Sequence, residues 1–303
     1  MRNKKTVSVL VLMISVLSIA ATLMAILSNR GPGESQYESI YGETITIYGR
    51  GLYQHDSVAM ASQAIAQDYV TLFLGVPLLL LSLFLVRRGM LKGKLLLTGT
   101  LGYFLYTYAS YSFLSMYNSL FLLYVLLMSA SFFAFLLAMM SFNIEGLPCF
   151  FSERLPVKFI GGFLLFTSIL FGFMWLGKIV PPLISQTQPD GLEHYTTLVI
   201  QALDLGFVVP AGIVAGILII RQKPFGYLLA PILIIKEITL LTALSAMVIL
   251  QMANGITVSP AVIIIVLLLN IIIISIMILI MKSVKEVSGT NRGQLYAWDG
   301  HLR

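Results

Sequence analysis

Eight stretches of this chain run for about 18 residues or more almost without a charge: about 6–28, 69–86, 95–115, 119–141, 158–180, 196–220, 226–251 and 261–281. A hydrocarbon layer is about 30 Å thick and a helix rises about 1.5 Å per residue, so each stretch is long enough to cross one. In that solvent every backbone N–H and C=O needs a partner within its own segment, which makes the helix the spanning structure. Composition agrees, with 58% hydrophobic and only 11% charged residues, where a soluble domain carries about 25% charged. Only 29–68 and the tail from 283 exceed a short loop, too little for a separate soluble catalytic domain. The expected fold is all-α: a polytopic transmembrane helix bundle of about eight spans. It divides into a membrane anchor at 1–28, an extracytoplasmic segment at 29–68, a seven-span bundle at 69–282 and a cytoplasmic tail at 283–303.

The net charge of +6 could suggest nucleic acid, but its distribution is a topology signal. With the N-terminus inside, fifteen of the nineteen Lys and Arg residues fall on the inner side. Arg30, Arg50 and Lys178 fall outside, and Lys236 lies within a span. Every inner loop is then basic, which is the asymmetry that orients helices during insertion. The reading is a multi-pass protein of the plasma (cytoplasmic) membrane with both termini inside, partnered by the lipid bilayer and not by nucleic acid. Oligomeric state is not legible. The first span has the basic start and small residues of a secretory signal peptide, but its apolar core exceeds the usual 7–15 residues, which favours a retained anchor.

Within 29–68, "NRGPGES" is a loop and the alternating run Thr44-Ile45-Thr46-Ile47 reads as a short strand, half of a hairpin. "HDSVAMASQAIAQDYV" offers Asp56 or Ser57 as an N-cap for a helix that continues into the second span. A segment this small lids the bundle and does not fold alone.

Two units resemble each other: "QDYVTLFLGVPLLLLSLFLVRRGMLKGKLLL" (67–97) and "LDLGFVVPAGIVAGILIIRQKPFGYLLA" (203–230). Each runs from an Asp (Asp68, Asp204) through a Pro (Pro77, Pro210) to a basic hairpin and the next span. An even number of spans separates them, so spans 2–4 and 6–8 form a parallel three-span repeat. Each Pro removes a helix hydrogen bond and bends its span.

The chemistry lies in the polar residues of the spans. Lys236 and Glu237 come out about 15 Å from the inner edge, near the midplane, with Asn270 at a similar level. Asp204 lies about 25 Å from that edge and Asp68 slightly beyond. A charge at the bilayer centre costs about 2.5–3.5 kcal/mol or more on insertion scales and by default marks a site or a pair. Neighbouring helix residues point about 100° apart, so Lys236 and Glu237 look to different partners: Asp204 for the lysine, Asn270 for the glutamate. A second group, Asp68, Asp204, Gln67, Gln201 and the tyrosines Tyr103, Tyr106 and Tyr108, is expected to line a cavity open to the outside. Carboxylates with aromatic faces there suit a small cationic solute or a proton. Tyr111 and Tyr117 fit an interfacial aromatic belt.

No P-loop, HExxH or GxSxG motif occurs, and no nucleophile–base pair is visible, so an enzyme is the less favoured class. The lone Cys149 excludes a Cys-rich metal site. His55-Asp56 and Glu193-His194 are two adjacent pairs on separate loops, thin grounds for a metal site, and no cofactor or metal is expected. The leading expectation is a small-solute or ion-coupled permease with its site at Asp68, Tyr103, Tyr106, Tyr108, Gln201, Asp204, Lys236, Glu237 and Asn270. The alternative is a sensor or assembly partner whose polar residues only organise helix packing.

Overall fold

The computed structural model describes residues 4–286; the tail expected at 283–303 lies outside them from 287 onward. Eight long helices hold most of these residues. They are α1 (Lys4–Leu27), α2 (Val58–Arg87), α3 (Leu91–Phe113), α4 (Phe121–Met139), α5 (Val157–Ser185), α6 (Val199–Ile220), α7 (Pro224–Ala253) and α8 (Pro260–Ser283). Seven of the eight, all but α3, are long and apolar enough to cross a membrane. The exception is 23 residues long and rich in Gly, Thr and Tyr. It packs against α2, α4 and α7 and buries residues around its whole circumference. Its polar side chains therefore meet protein, which explains why the sequence can be less apolar there.

Hydrogen bonds between loops sort the connections to two ends. At one end Asp56 joins the 114–120 loop through the Met116 N–H and the 186–198 loop through the Tyr195 hydroxyl, while Asn254 donates to Ser62 at 2.8 Å. This cap end also carries a two-stranded hairpin, β1 (Ser35–Glu38) and β2 (Thr44–Ile47), antiparallel with Ser35 opposite Ile47. At the other, basic end, Ser283 accepts from the Ser152 N–H at 2.8 Å and the Lys285 N–H reaches Phe150 O at 2.7 Å. Glu286 caps α3 there, its two oxygens accepting the N–H groups of Leu91 and Lys92 at 2.9 Å each, as a carboxylate does at a helix N-terminus.

The buried apolar side chains form two large cores. One is built by α1–α4, from Val7, Val11 and Ile14 through Leu79, Leu101 and Tyr108 to Leu127 and Ala134. The other is dominated by α5–α8, including Ile160, Leu164, Ile219, Ile234 and Ile276. Helices α3 and α7 are the central members and pack on each other. Gly99 permits this close approach: a Cβ there would lie 2.5 Å from the Ile235 Cβ.

Helices α2 and α6 share an unusual course. Each widens into one π-helical turn, Thr71–Gly75 and Asp204–Val208, that ends just before a Val-Pro pair. Proline supplies no N–H and its ring collides with the carbonyl four residues back, and the widened turn absorbs this. Both helices then close with a left-handed residue, Gly89 (φ 82°) and Gln222 (φ 52°), and the same pair of reverse hydrogen bonds: Gly89 to Val86 and Met90 to Leu85, Gln222 to Ile219 and Lys223 to Leu218. Next come Gly93 and Gly226, each pressed against the backbone of the preceding helix. All these pairs stand the same 133 residues apart, as Pro77 to Pro210 and Gly93 to Gly226 do.

Candidate functional site

The polar residues of the bundle form two separate clusters. The first lies at the junction of the two cores. Lys236 and Glu237 bond to each other at 3.1 Å, the only ion pair among the described residues. The lysine ammonium also sits over the Tyr106 ring, 4.3 Å from its centroid. The Tyr106 hydroxyl donates to Asp204 Oδ1 at 2.7 Å, and the Trp175 indole N–H donates to Asp204 Oδ2 at 2.9 Å. A continuous chain thus runs from Glu237 and Lys236 on α7 through Tyr106 on α3 to Asp204 on α6 and Trp175 on α5. Asp204 opens the π-helical turn of its helix. The lysine side chain is 7% exposed and the glutamate 19%, so the carboxylate is the accessible edge of the pair.

The expected lysine–aspartate link is therefore indirect, spanned by a phenol that offers its ring to the cation and its hydroxyl to the acid. Asn270 does not meet Glu237. It donates to Ser245 Oγ at 2.9 Å and Val266 O at 2.8 Å, because its side chain turns toward α7 a little over two turns past Glu237.

The second cluster sits within the first core. Asp68 Oδ2 accepts from the Tyr53 hydroxyl at 2.6 Å, and its Oδ1 lies 3.1 Å from the Tyr111 hydroxyl. Beside it Gln67 donates to the Tyr103 hydroxyl at 2.7 Å and to Thr107 at 3.1 Å, with Thr71 2.8 Å from Tyr103. Tyr108 is buried against Phe104, Tyr111 and Tyr124. The single outward cavity expected from Asp68, Asp204 and the tyrosines is corrected by this arrangement: the two acids belong to different clusters, and Asp68 is sealed at 2% exposure. Gln201 is buried and forms no link between them. A cavity of about 160 Å³ lies instead at the basic end, lined by Pro148, Ser152, Glu153, Gln222 and Tyr227 among others and by none of the expected site residues.

Three contributors escaped the sequence reading. Trp175 was one apolar residue among many, although a tryptophan this far along a span was a usable signal. Tyr53 lies outside every apolar run, and Tyr111 was assigned to the interfacial belt. Only the folding of the cap onto the bundle brings Tyr53 to Asp68.

A third constellation ties the cap. Ser57 is the N-cap of α2, accepting from the Met60 N–H, while Asp56 turns away to Tyr195 at 2.9 Å and to the Met116 N–H at 3.1 Å. Burial pushes the Asp56 carboxyl up to about 6, although the Met116 and Tyr195 bonds pull the other way. Burial, and then the neighbouring Asp56, raises the Tyr195 phenol. The His194 ring lies tilted against Tyr195, 4.5 Å between centroids, and reaches the His55 carbonyl at 2.9 Å. Among the described residues no three acids, histidines or cysteines converge as metal ligands.

No family model matches the chain, and neither a curated protein nor a solved structure resembles it at a significant level. Its class therefore rests on its own architecture. Seven long apolar helices in one bundle make it a multi-pass membrane protein.

Proposed function

We propose that the protein is a permease for a small solute, coupled to a proton or a small monovalent cation, with Asp204, Tyr106, Lys236 and Glu237 as its central site. The observation that carries this reading is the charge count at the junction. Two carboxyl groups, Asp204 and Glu237, stand on one chain with a single ammonium, Lys236, which pairs directly with Glu237 and reaches Asp204 only through Tyr106. A surplus negative charge in a low-dielectric interior is costly unless neutralised. A proton or a monovalent cation neutralises it, and binding there acts on both halves, since the chain joins α3 to α5, α6 and α7.

The recurrence every 133 residues supports a parallel repeat of spans 2–4 and 6–8, the arrangement that lets two halves rock about a shared site. In this register Gln201 is the counterpart of Asp68, Thr71 of Asp204 and Tyr103 of Lys236. On it Asp68 and Asp204 themselves stand three residues out of step. Asp68, Tyr103 and Tyr108 then belong to the half opposite the ion pair, and Asn270 fixes α8 on α7. The reading includes eight membrane crossings, α3 being the protein-surrounded eighth, with the basic end in the cytoplasm and the plasma membrane as the site. Burial of Val7, Val11 and Ile14 of α1 in the first core supports α1 as a retained anchor.

The test is charge displacement from proteoliposomes on a solid support, with rapid exchange between media differing in pH, alkali cations or organic cations. The wild type gives a transient for at least one of these, and Asp204→Asn abolishes it in a normally folded protein. A wild type silent to every exchange refutes the reading. A second reading, a sensor or assembly partner, is favoured by the sealed packing around Lys236 and Asp68. For it, the double replacement Lys236→Met with Glu237→Gln lowers yield and melting temperature together with any functional loss, whereas a permease keeps its fold and loses only activity.

A further inference from the structure

We infer that Asp68 is a proton-binding site, occupied in this arrangement by one proton on its carboxyl group. Hydrogen counting carries the argument. The Tyr111 hydroxyl oxygen lies 2.9 Å from the Ala64 carbonyl oxygen and 3.1 Å from Asp68 Oδ1. A phenol has one proton, and the carbonyl can only accept. With Tyr111 donating to Ala64, the second contact needs a proton on Asp68 Oδ1, donated to the Tyr111 oxygen. The Tyr53 hydroxyl donates to the other carboxyl oxygen at 2.6 Å. The neutral acid therefore makes every contact a true hydrogen bond, in a line from Tyr53 through Asp68 and Tyr111 to Ala64. The ionised form leaves Tyr111 to divide one proton between two acceptors.

Charge leads to the same assignment. Asp68 is 2% exposed, and the only ion pair among the described residues lies elsewhere. An ionised carboxylate in such a place, without a cation, carries the full desolvation cost. Asp204 differs: an indole N–H, which can only donate, and a phenol O–H are both directed at its carboxyl oxygens, so its geometry fits a carboxylate.

The hydroxyls of Tyr108 and Tyr124 are buried beside the Tyr53–Asp68–Tyr111 line, close to Ser18 and Tyr53 respectively, and the Tyr124 ring centroid is 5.0 Å from that of Tyr111. They are donors in reserve for the carboxylate that is left when the proton departs. The titratable groups around the carboxyl are Tyr53 from the cap, Tyr103, Tyr108 and Tyr111 from α3, and Tyr124 from α4. Helix α1 contributes Ser18, beside Tyr108. Tyr53 is the one member contributed by the cap and is itself buried. This inference concerns a different cluster from the Lys236 chain and holds whether or not the protein transports anything.

Difference infrared spectroscopy of the protein in lipid, in H2O and D2O, tests it. At neutral pH the wild type shows the C=O band of a protonated carboxylic acid, sensitive to deuteration. Asp68→Asn loses the band, whereas Asp204→Asn and Glu237→Gln keep it. Tyr53→Phe shifts it to higher frequency, because the C=O loses its donor. A wild type without the band, or a band that survives Asp68→Asn, overturns the assignment. Should Asp68→Asn fail to fold, Tyr53→Phe decides: an unmoved band overturns it.

Discussion

Replacing Tyr106 by Phe removes one hydroxyl and leaves a ring in place, which separates the two jobs this residue does. The ring stays under Lys236, whose ammonium lies 4.3 Å from its centroid, while the 2.7 Å bond to Asp204 disappears. A hydrogen bond between helices in a membrane averages about 0.6 kcal/mol, whereas one to a charged group is worth about 1.5–3 kcal/mol. A double-mutant cycle of Tyr106→Phe with Asp204→Ala isolates that bond. With Asp204 ionised we expect a coupling of about 2 kcal/mol, roughly thirty-fold in the unfolding equilibrium, measured by reversible unfolding in mixed detergent–lipid micelles. Tyr106→Leu removes the ring as well and costs about 1–2 kcal/mol more through the lost cation–π contact. A coupling of about 0.6 kcal/mol or less refutes an ionised Asp204 under the conditions of the measurement and assigns it the neutralising proton.

Three further outcomes follow from the geometry. Asp56, raised by burial from 3.8 to about 6, binds its proton more tightly folded than unfolded, so its contribution to stability is complete below about pH 4. That contribution, about 3 kcal/mol by linkage, is lost as the pH rises to about 6; the melting temperature of the wild type falls across this window, and that of Asp56→Asn stays flat. Gly99→Ala puts a Cβ 2.5 Å from the Ile235 Cβ and 2.9 Å from the Ile232 carbonyl and costs about 1–3 kcal/mol, whereas Gly102→Ala, with its nearest neighbour at 3.5 Å, leaves the melting temperature unchanged. Glu286→Ala deprives the Leu91 and Lys92 N–H groups of their acceptor; a loss of about 1–2 kcal/mol, partly restored by Glu286→Gln, is the expected stability change.

Much of the framework was legible in the chain. The apolar runs marked the eight helices, an N-cap at Asp56 or Ser57 and the Thr44–Ile47 strand were readable from local chemistry, and Lys236 and Asp204 lie on one chain of side chains through Tyr106. The side-chain partners were not readable. A sequence gives the angle between two residues on the same helix, but not the rotation of that helix against its neighbours. That rotation turns Asn270 to Ser245 and away from Glu237, and gives Asp68 and Asp204 to different clusters. The offset of the two similar units was equally obscure. The eye paired the two aspartates, whereas backbone features, the prolines, π-helical turns and reverse turns, recur on a register that pairs Asp68 with Gln201.

The membrane solvent and the secondary structure are written locally in the chain, because both depend on local quantities: transfer of apolar side chains from water and the satisfaction of each backbone group within its own segment. The chemistry is not. Tertiary structure laid the cap so that Tyr53 enters the bundle, and it set Tyr106 between a lysine and an aspartate from two other helices. Such contacts join residues far apart in the chain, and their identity is fixed by how whole helix surfaces pack, a property that no short stretch of sequence carries.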